Sequence, residues 1–151
     1  MTTAVGYSAE VVRRCQQMDR AGSFAEDDPR VGTGVVGSLA AGAMTRLQVR
    51  VDGPGGHVED ARFKVFGCSA AIASASLAAD VVVGQAVDAV RTLDAGVLAD
   101  ALDLPEDKRA MAAQAAEAAR AAVEDWERKA GARNTDAAGL GARVPGLGGQ
   151  G

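Results

Sequence analysis

Alternation of apolar and polar residues predicts three strands in the first half of the chain. It is most regular over residues 44–51, where every second residue is apolar and the polar face, which includes Gln48, is expected to meet solvent. A second alternating stretch begins at about residue 57 and ends at residue 66, and the turn sequence of residues 52–56 joins the two as an antiparallel hairpin. Residues 31–36, which mix valine with glycine, predict the third strand.

Apolar residues at helical spacing predict two helices that flank these strands. The first covers residues 7–18, with Ser8 as its N-cap. The second continues directly from the last strand over residues 69–83, and its first turns are almost entirely alanine and serine. Ser69 is the expected N-cap of this helix, because a serine side chain accepts from the free N–H groups of a first turn.

The second half of the chain predicts only helices. Two short ones are expected over residues 86–91 and 94–101, and the longest over residues 106–129, where Gly131 ends it. Strands early and helices late indicate an α+β fold, a three-stranded antiparallel sheet with helices packed on one face. We expect one such domain over residues 1–130, followed by a disordered Gly- and Ala-rich tail over residues 131–151.

A cysteine lies at the point where the last strand becomes a helix. Gly67 breaks the strand and Cys68 follows it directly. A thiol at a helix start is close to the positive end of the helix dipole and to unpaired N–H groups, and both favour the thiolate that binds metals or attacks sulfur. The alternative is that Cys68 is a small apolar residue packed at a tight corner. Position alone favours neither.

Composition narrows the function classes. The 151 residues are 48% hydrophobic and only 3% aromatic, with a net charge of −4 and scattered basic residues, which argues against a nucleic-acid surface. The sequence has no apolar run long enough for a membrane span and no secretory signal, so we expect a cytoplasmic protein. Its two cysteines are then expected to be reduced thiols.

Two further residues with metal-binding chemistry have simpler interpretations. Cys15 falls on the buried stripe of the first helix, so a core thiol is the default and a second metal ligand is the alternative. His57, the only histidine, lies at a hairpin end, where it is expected to be solvated. One histidine in that position offers no catalytic dyad or triad, so an enzyme is not expected.

Several short motifs follow one another between residues 7 and 126. They are Tyr7-Ser8, Gly22-Ser23-Phe24, DPRVGTGVVG at 28–37, LQVRVD at 47–52, ARFKVFGC at 61–68, AIAS at 71–74, SLA at 76–78, and Leu104-Pro105 with Lys108. Together this ordered set resembles the U-type iron–sulfur cluster assembly scaffolds, the family of IscU and of the NifU N-terminal domain. The resemblance implies a scaffold on which a cysteine desulfurase and an iron source build a [2Fe–2S] cluster that is later passed to carriers.

The chain departs from that family at the implied cluster site. The resemblance implies three cysteines with an aspartate and a histidine nearby, and of these only Cys68 is retained. Ala41 and Ala43 stand at the positions of a cysteine and the aspartate, and Ala110 and Met111 at those of the histidine and the last cysteine. The resemblance thus implies a [2Fe–2S] cluster or iron with Cys68 as the one retained metal ligand. One thiolate does not hold a [2Fe–2S] cluster in an isolated chain, because such a cluster uses about four protein ligands.

The segment that the resemblance implies for partner docking is also altered. Leu104, Pro105 and Lys108 are retained, but the two residues between proline and lysine are acidic. We therefore expect an iron–sulfur cluster assembly protein that is degenerate at its cluster site, unless two copies share a cluster as a homodimer. The alternatives are an adaptor or regulator that binds no cluster, and a single-cysteine persulfide carrier. Either would dock on a cysteine desulfurase, an iron–sulfur carrier or an intact scaffold.

Overall fold

The computed structural model describes residues 6–53 and 56–142, with side chains described as far as Gly131. Three strands are followed by a series of helices. The elements, in chain order, are α1 (Ala9–Gln16), β1 (Val31–Ser38), β2 (Ala43–Val51), β3 (Val58–Phe66), α2 (Ser69–Val82), α3 (Val87–Arg91), α4 (Ala95–Ala101), a single 3-10 turn (Glu106–Lys108) and α5 (Arg109–Ala142).

The strands form one antiparallel sheet in the order β1-β2-β3. The side chain of Leu47 on the central strand is fully buried, and Leu47 pairs with Gly34 on one side and Phe63 on the other. The helices α2 and α5 cover this face of the sheet and contribute most of the remaining core. The predicted α+β architecture is therefore confirmed.

The opposite face of the sheet carries arginine, lysine and glutamine side chains together with exposed apolar ones such as Val35 and Phe66. Arg50 and Arg62 stack over the ring of Phe24, at 4.8 and 5.0 Å from its centroid. The segment that carries Phe24 also covers Gln48, which is 1% exposed, so the prediction that this side chain meets solvent is wrong. Its amide accepts from the Phe24 N–H at 2.7 Å and donates to the Thr33 hydroxyl at 3.0 Å, and these bonds satisfy a polar group that burial would otherwise destabilise.

Helix α5 lies unusually close to β1 because both surfaces are built from small residues. A Cβ atom added at Gly32 or Gly34 would overlap the carbonyl oxygens of Ala122 or Ala118. The face of α5 that meets the sheet is fully buried and consists of alanines at 112, 115, 116, 118, 119 and 122. Large side chains are therefore not needed to fill this half of the core.

The prediction that Gly131 ends the long helix is wrong, since α5 continues to Ala142. A single glycine costs a helix only about 1 kcal/mol relative to alanine, which favourable neighbours offset. Residues 143–151, the rest of the predicted tail, lie outside the described residues. The division into a domain over residues 1–130 and a disordered tail stays a prediction.

Helix α1 is held against α2 by polar contacts. Its predicted N-cap is confirmed, because the Ser8 hydroxyl accepts from the Val11 N–H at 3.2 Å and donates to the Leu102 carbonyl at 2.7 Å. In the last turn of the helix, Arg14 donates to Asp80 on α2 at 2.7 Å and to the Ser76 hydroxyl at 3.0 Å. These contacts fix the orientation of α1 on α2, and with it the position of Cys15.

Candidate functional site

Cys68 is the N-cap residue of α2, directly after the end of β3. The prediction that Ser69 caps this helix is wrong: Ser69 is already its first residue, and no side chain caps the helix. Gly67 makes the turn at φ +156°, where a side chain is strained, and a Cβ there would lie 3.1 Å from that of Ala71. The free N–H groups of the first turn are thus close to the partly buried Cys68 thiol.

Two other groups lie beside this thiol. Tyr7 is close enough to Cys68 for the two groups to interact: burial raises the pKa of Tyr7, and the charge of Cys68 raises it further. On α1, the Cys15 thiol donates to the Ser69 carbonyl at 3.4 Å. Burial raises the pKa of Cys15, the hydrogen bond to Ser69 opposes this, and the charge of Cys68 adds to it. Both cysteines are free thiols.

The tip of the β1–β2 hairpin and the start of α5 meet near the same end of the sheet. A Cβ at Gly67 would lie 3.4 Å from the Cβ of Ala43, so the first residue of β2 is next to the strand end that carries Cys68. The Gln114 amide on α5 donates to the carbonyls of Val36 at 2.8 Å and Ala43 at 3.2 Å. This bond anchors the second turn of α5 to the hairpin.

An apolar groove of about 500 Å³ opens at the outer edge of β3. Phe63, Val65, Met18 and Ile72 line it, and Lys64 lies among them. The Ile72 N–H donates to the Cys68 carbonyl at 3.1 Å, so the groove begins one helical turn from the cysteine. No sequence pattern predicted this groove, because its lining comes from three separate segments.

The segment predicted to dock partners lies next to Tyr7. Lys108 is close enough to lower the pKa of that residue, against the larger effect of burial. Leu104, by contrast, is only 6% exposed and belongs to the core, whereas Pro105 and Lys108 are partly exposed. Docking through this segment stays a prediction, and only Pro105 and Lys108 have accessible surface for it.

Comparison with known proteins identifies the family. A sequence model described as the NifU-like N terminal domain matches residues 6–133. The chain belongs to this family. "Iron-sulfur cluster assembly protein 1" of Oryza sativa subsp. japonica is 43% identical over 126 residues, which cover 83% of this chain and 74% of the relative. "Iron-sulfur cluster assembly scaffold protein IscU" of Escherichia coli K12 is 37% identical over 125 residues, 83% of this chain and 97% of that protein.

Solved structures agree with the fold of the NifU-like family. A NifU-like protein (N-terminal) from Brucella abortus superposes with a TM-score of 0.58 at 21% identity, over 81% of this chain and 94% of that one. A putative iron–sulfur cluster assembly scaffold protein for the SUF system from Fervidobacterium islandicum gives a TM-score of 0.55 at 12% identity, over 78% and 96%. These likenesses establish the shared fold.

The positions of the other implied NifU-like ligands carry no ligand chemistry. Ala41 and Ala110 are exposed, Ala43 is half-buried, and the partly buried Met111 packs against the core. Among the described side chains, those of residues 6–53 and 56–131, no group of three or more His, Cys, Asp or Glu residues is placed to hold a metal ion. His57 is at the far end of β3 from Cys68, a strand of nine residues at about 3.3 Å each. The residues near Cys68 do not fit a [2Fe–2S] cluster held by one chain.

Sequence reasoning did not find the proximity of Cys15 to the Cys68 corner. The helical stripe indicated that Cys15 faces inward, but not which element it meets. The retained motif around Cys68 was signal enough to find the corner itself. In the part of the chain that the structure describes, no helix has the length and apolarity to cross a membrane.

Proposed function

We propose that this chain takes part in iron–sulfur cluster assembly by carrying sulfur as a persulfide on Cys68, without holding a cluster by itself. Membership of a family whose relatives are named for cluster assembly supports the process. One combined observation carries the specific role. The Cys68 thiol is retained at the uncapped start of α2, whereas the neighbouring ligand position, Ala43, has only a methyl group. We further propose a cytoplasmic location and no enzymatic turnover by this chain.

The transfer step needs one thiolate and nothing else from the chain. The Cys68 thiolate attacks the outer sulfur of a persulfide R–S–SH on a donor protein, and the donor's own S–S bond breaks. The electron pair leaves on the donor sulfur as R–S⁻, and Cys68–S–SH remains. No external oxidant or reductant enters, because the outer sulfur moves between two equivalent thiols. A cysteine desulfurase is the class of donor that the family resemblance implies.

The surroundings of Cys68 support such a role. The N–H groups of the first turn of α2 receive no side-chain cap, so they are free to donate to a negatively charged sulfur. Tyr7 lies beside the same sulfur, close enough for the charge of Cys68 to raise the Tyr7 pKa. A persulfide is more acidic than a thiol and is therefore an anion near neutral pH. Donors directed at its position stabilise that anion, and Cys68 is partly exposed to a donor.

An adaptor role is the second candidate, and the groove beside Ile72 favours it. An apolar groove of about 500 Å³ one turn from Cys68 is a surface on which a cysteine desulfurase, an iron–sulfur carrier or an intact scaffold can dock. In this role the chain would bind a partner through its retained fold, and Cys68 would be dispensable. A second copy of the chain is a further candidate partner.

Mass spectrometry distinguishes the two roles. The reduced chain is incubated with a cysteine desulfurase and cysteine, and the mass of one added sulfur is sought on the peptide that contains Cys68. The carrier role predicts this adduct in the wild type and its absence in Cys68→Ala. A stable complex with the desulfurase that survives Cys68→Ala, with no adduct in the wild type, would instead support the adaptor.

Anaerobic reconstitution with iron and sulfide tests the remaining possibility of a shared cluster. The proposal predicts no stoichiometric cluster absorption. Absorption that depends on Cys68, together with dimerisation in light scattering, would contradict it.

A further inference from the structure

We propose that Cys15 is the resolving thiol of this site: it attacks a persulfide on Cys68, forms a Cys15–Cys68 disulfide and releases the outer sulfur as hydrogen sulfide. This inference rests on the proposed persulfide-carrier function and assigns it a second sulfur-reactive residue. It changes the role of the chain from a carrier that passes sulfur on to one that can also deliver it as sulfide.

The proximity of the two thiols is the first argument. The Cys15 sulfur lies 3.4 Å from the carbonyl oxygen of Ser69, the residue that directly follows Cys68. The two cysteines are also close enough for the charge of one to affect the other. They come from helices far apart in the sequence, and both are half-buried on the rim of one core. These contacts distinguish Cys15 from a thiol that only fills space in the core.

The second argument is that both cysteines lie where the backbone can adjust. A disulfide requires Cα atoms about 4.4–6.8 Å apart, and backbone freedom at either end helps two thiols to reach that range. Cys68 has extended rather than helical backbone angles and follows Gly67 at φ +156°. Cys15 is in the last turn of α1, next to the end residue Gln16. Both cysteines therefore lie at helix ends and not in a helix interior.

The chemistry balances without a further reagent. Starting from Cys68–S–SH, the Cys15 sulfur attacks the inner sulfur and forms the new S–S bond. The bond to the outer sulfur breaks, and the electron pair leaves with it as HS⁻, which takes up the proton lost by Cys15 and becomes H₂S. The Cys15 sulfur is oxidised as the outer sulfur is reduced. An external dithiol then reduces the disulfide before another round.

The surroundings of Cys15 favour a slow reaction of its thiol with the persulfide. The Cys15 S–H donates to the Ser69 carbonyl, and burial raises the pKa of the thiol. A protonated thiol is a poor nucleophile, so the persulfide on Cys68 has time to be passed to a protein partner. Resolution then takes over when no partner accepts the sulfur.

The test loads the reduced full chain with inorganic polysulfide, removes the excess, and follows the Cys68 persulfide by mass spectrometry together with free sulfide. The wild type should lose its persulfide faster than Cys15→Ser by about tenfold or more, with sulfide release and a peptide that joins Cys15 to Cys68. Serine keeps the size and the hydrogen bond to Ser69 but lacks the sulfur. Equal persulfide lifetimes in the two proteins, at matched melting temperatures, would overturn the inference.

A second arm does not depend on persulfide loading. One equivalent of an aromatic disulfide reagent places a mixed disulfide on Cys68, and Cys15 should displace the remaining aromatic thiol to give the internal disulfide. Cys15→Ser should keep the adduct. If this displacement occurs but polysulfide never modifies Cys68, the dithiol pair stands and the proposed carrier function fails. If the adduct persists in the wild type as well, the pairing of the two cysteines is wrong.

Discussion

Arg14 on α1 and Asp80 on α2 form an ion pair at 2.7 Å across 66 residues of sequence. The Arg14 side chain is only 10% exposed, and this carboxylate and that of Glu10, which it contacts at 2.8 Å, compensate its nearly buried charge. Asp80 also accepts from Arg20 at 2.8 Å, and Arg20 in turn donates to Asp60 on β3 at 2.7 Å. The chain of ion pairs joins α1, α2 and the sheet.

Asp80→Asn should destabilise the fold by about 1–2 kcal/mol, because it removes one of the two carboxylates that pair with each of Arg14 and Arg20, and Arg14 is nearly buried. Urea denaturation monitored by circular dichroism measures the change. Asp100→Asn is the matched control: Asp100 pairs with Arg109 but its side chain is 76% exposed, so its loss should cost less than about 0.5 kcal/mol. Equal effects of the two substitutions would contradict a stabilising role for the ion pairs of Asp80.

Gly34→Ala should destabilise the protein by roughly 2–3 kcal/mol, because the new methyl group overlaps the backbone of α5 at Ala118 and forces the helix away from β1. The measurement is the midpoint of thermal or urea unfolding. Gly131→Ala serves as the control, since nothing lies within 4 Å of its Cβ position in the same helix. That substitution should stabilise by about 0.5–1 kcal/mol. A neutral Gly34→Ala would mean that the close approach is not required.

Acid unfolding should depend on Asp60. Burial raises the pKa of this carboxyl, but the Ala61 N–H and the guanidinium groups of Arg62 and Arg20 outweigh burial and hold the pKa below its ordinary value. The carboxylate therefore stabilises the fold fully above the ordinary aspartate pKa of about 3.9, and this stabilisation is lost as the pH falls through the lower folded value. Asp60→Asn should flatten the dependence of unfolding free energy on pH below about pH 4. An unchanged slope would exclude this contribution.

Restoring the missing ligands should restore cluster binding. The resemblance assigns ligand roles to positions 41, 43, 110 and 111, and the structure brings Ala43 and the first turns of α5 to the end of the sheet near Cys68. The combined variant Ala41→Cys, Ala43→Asp, Ala110→His and Met111→Cys should therefore acquire visible absorption after anaerobic reconstitution with iron and sulfide.

The control for this gain is the same variant with Cys68→Ala, which should lose the absorption. The absence of any cluster in the four-fold variant, with circular dichroism unchanged, would show that the corner geometry has diverged along with its side chains.

The sequence predicted the three strands, the hairpin that joins the second and third, and the Cys68 corner, because each depends on local patterns of apolar and turn residues. Gln48 was placed wrongly because the alternation of β2 contains no information about the segment with Phe24 that folds over it. The end of α5 was missed because one glycine is a weak stop signal in a long helix.

The two cysteines show the same limit in the candidate site. Cys68 carries its own local signal, whereas the position of Cys15 beside it arises from packing of α1 on α2 through Arg14 and Asp80. Contacts between elements so distant in sequence depend on tertiary structure, which periodicity does not report.

Because Cys68 has extended rather than helical backbone angles, its sulfur can gain or lose a bonded atom while every regular element keeps its conformation. Far-ultraviolet circular dichroism and melting curves would then not distinguish a loaded chain from an unloaded one. Two preparations with the same fold could therefore differ in the sulfur that they carry, and the mass of the intact chain would distinguish them.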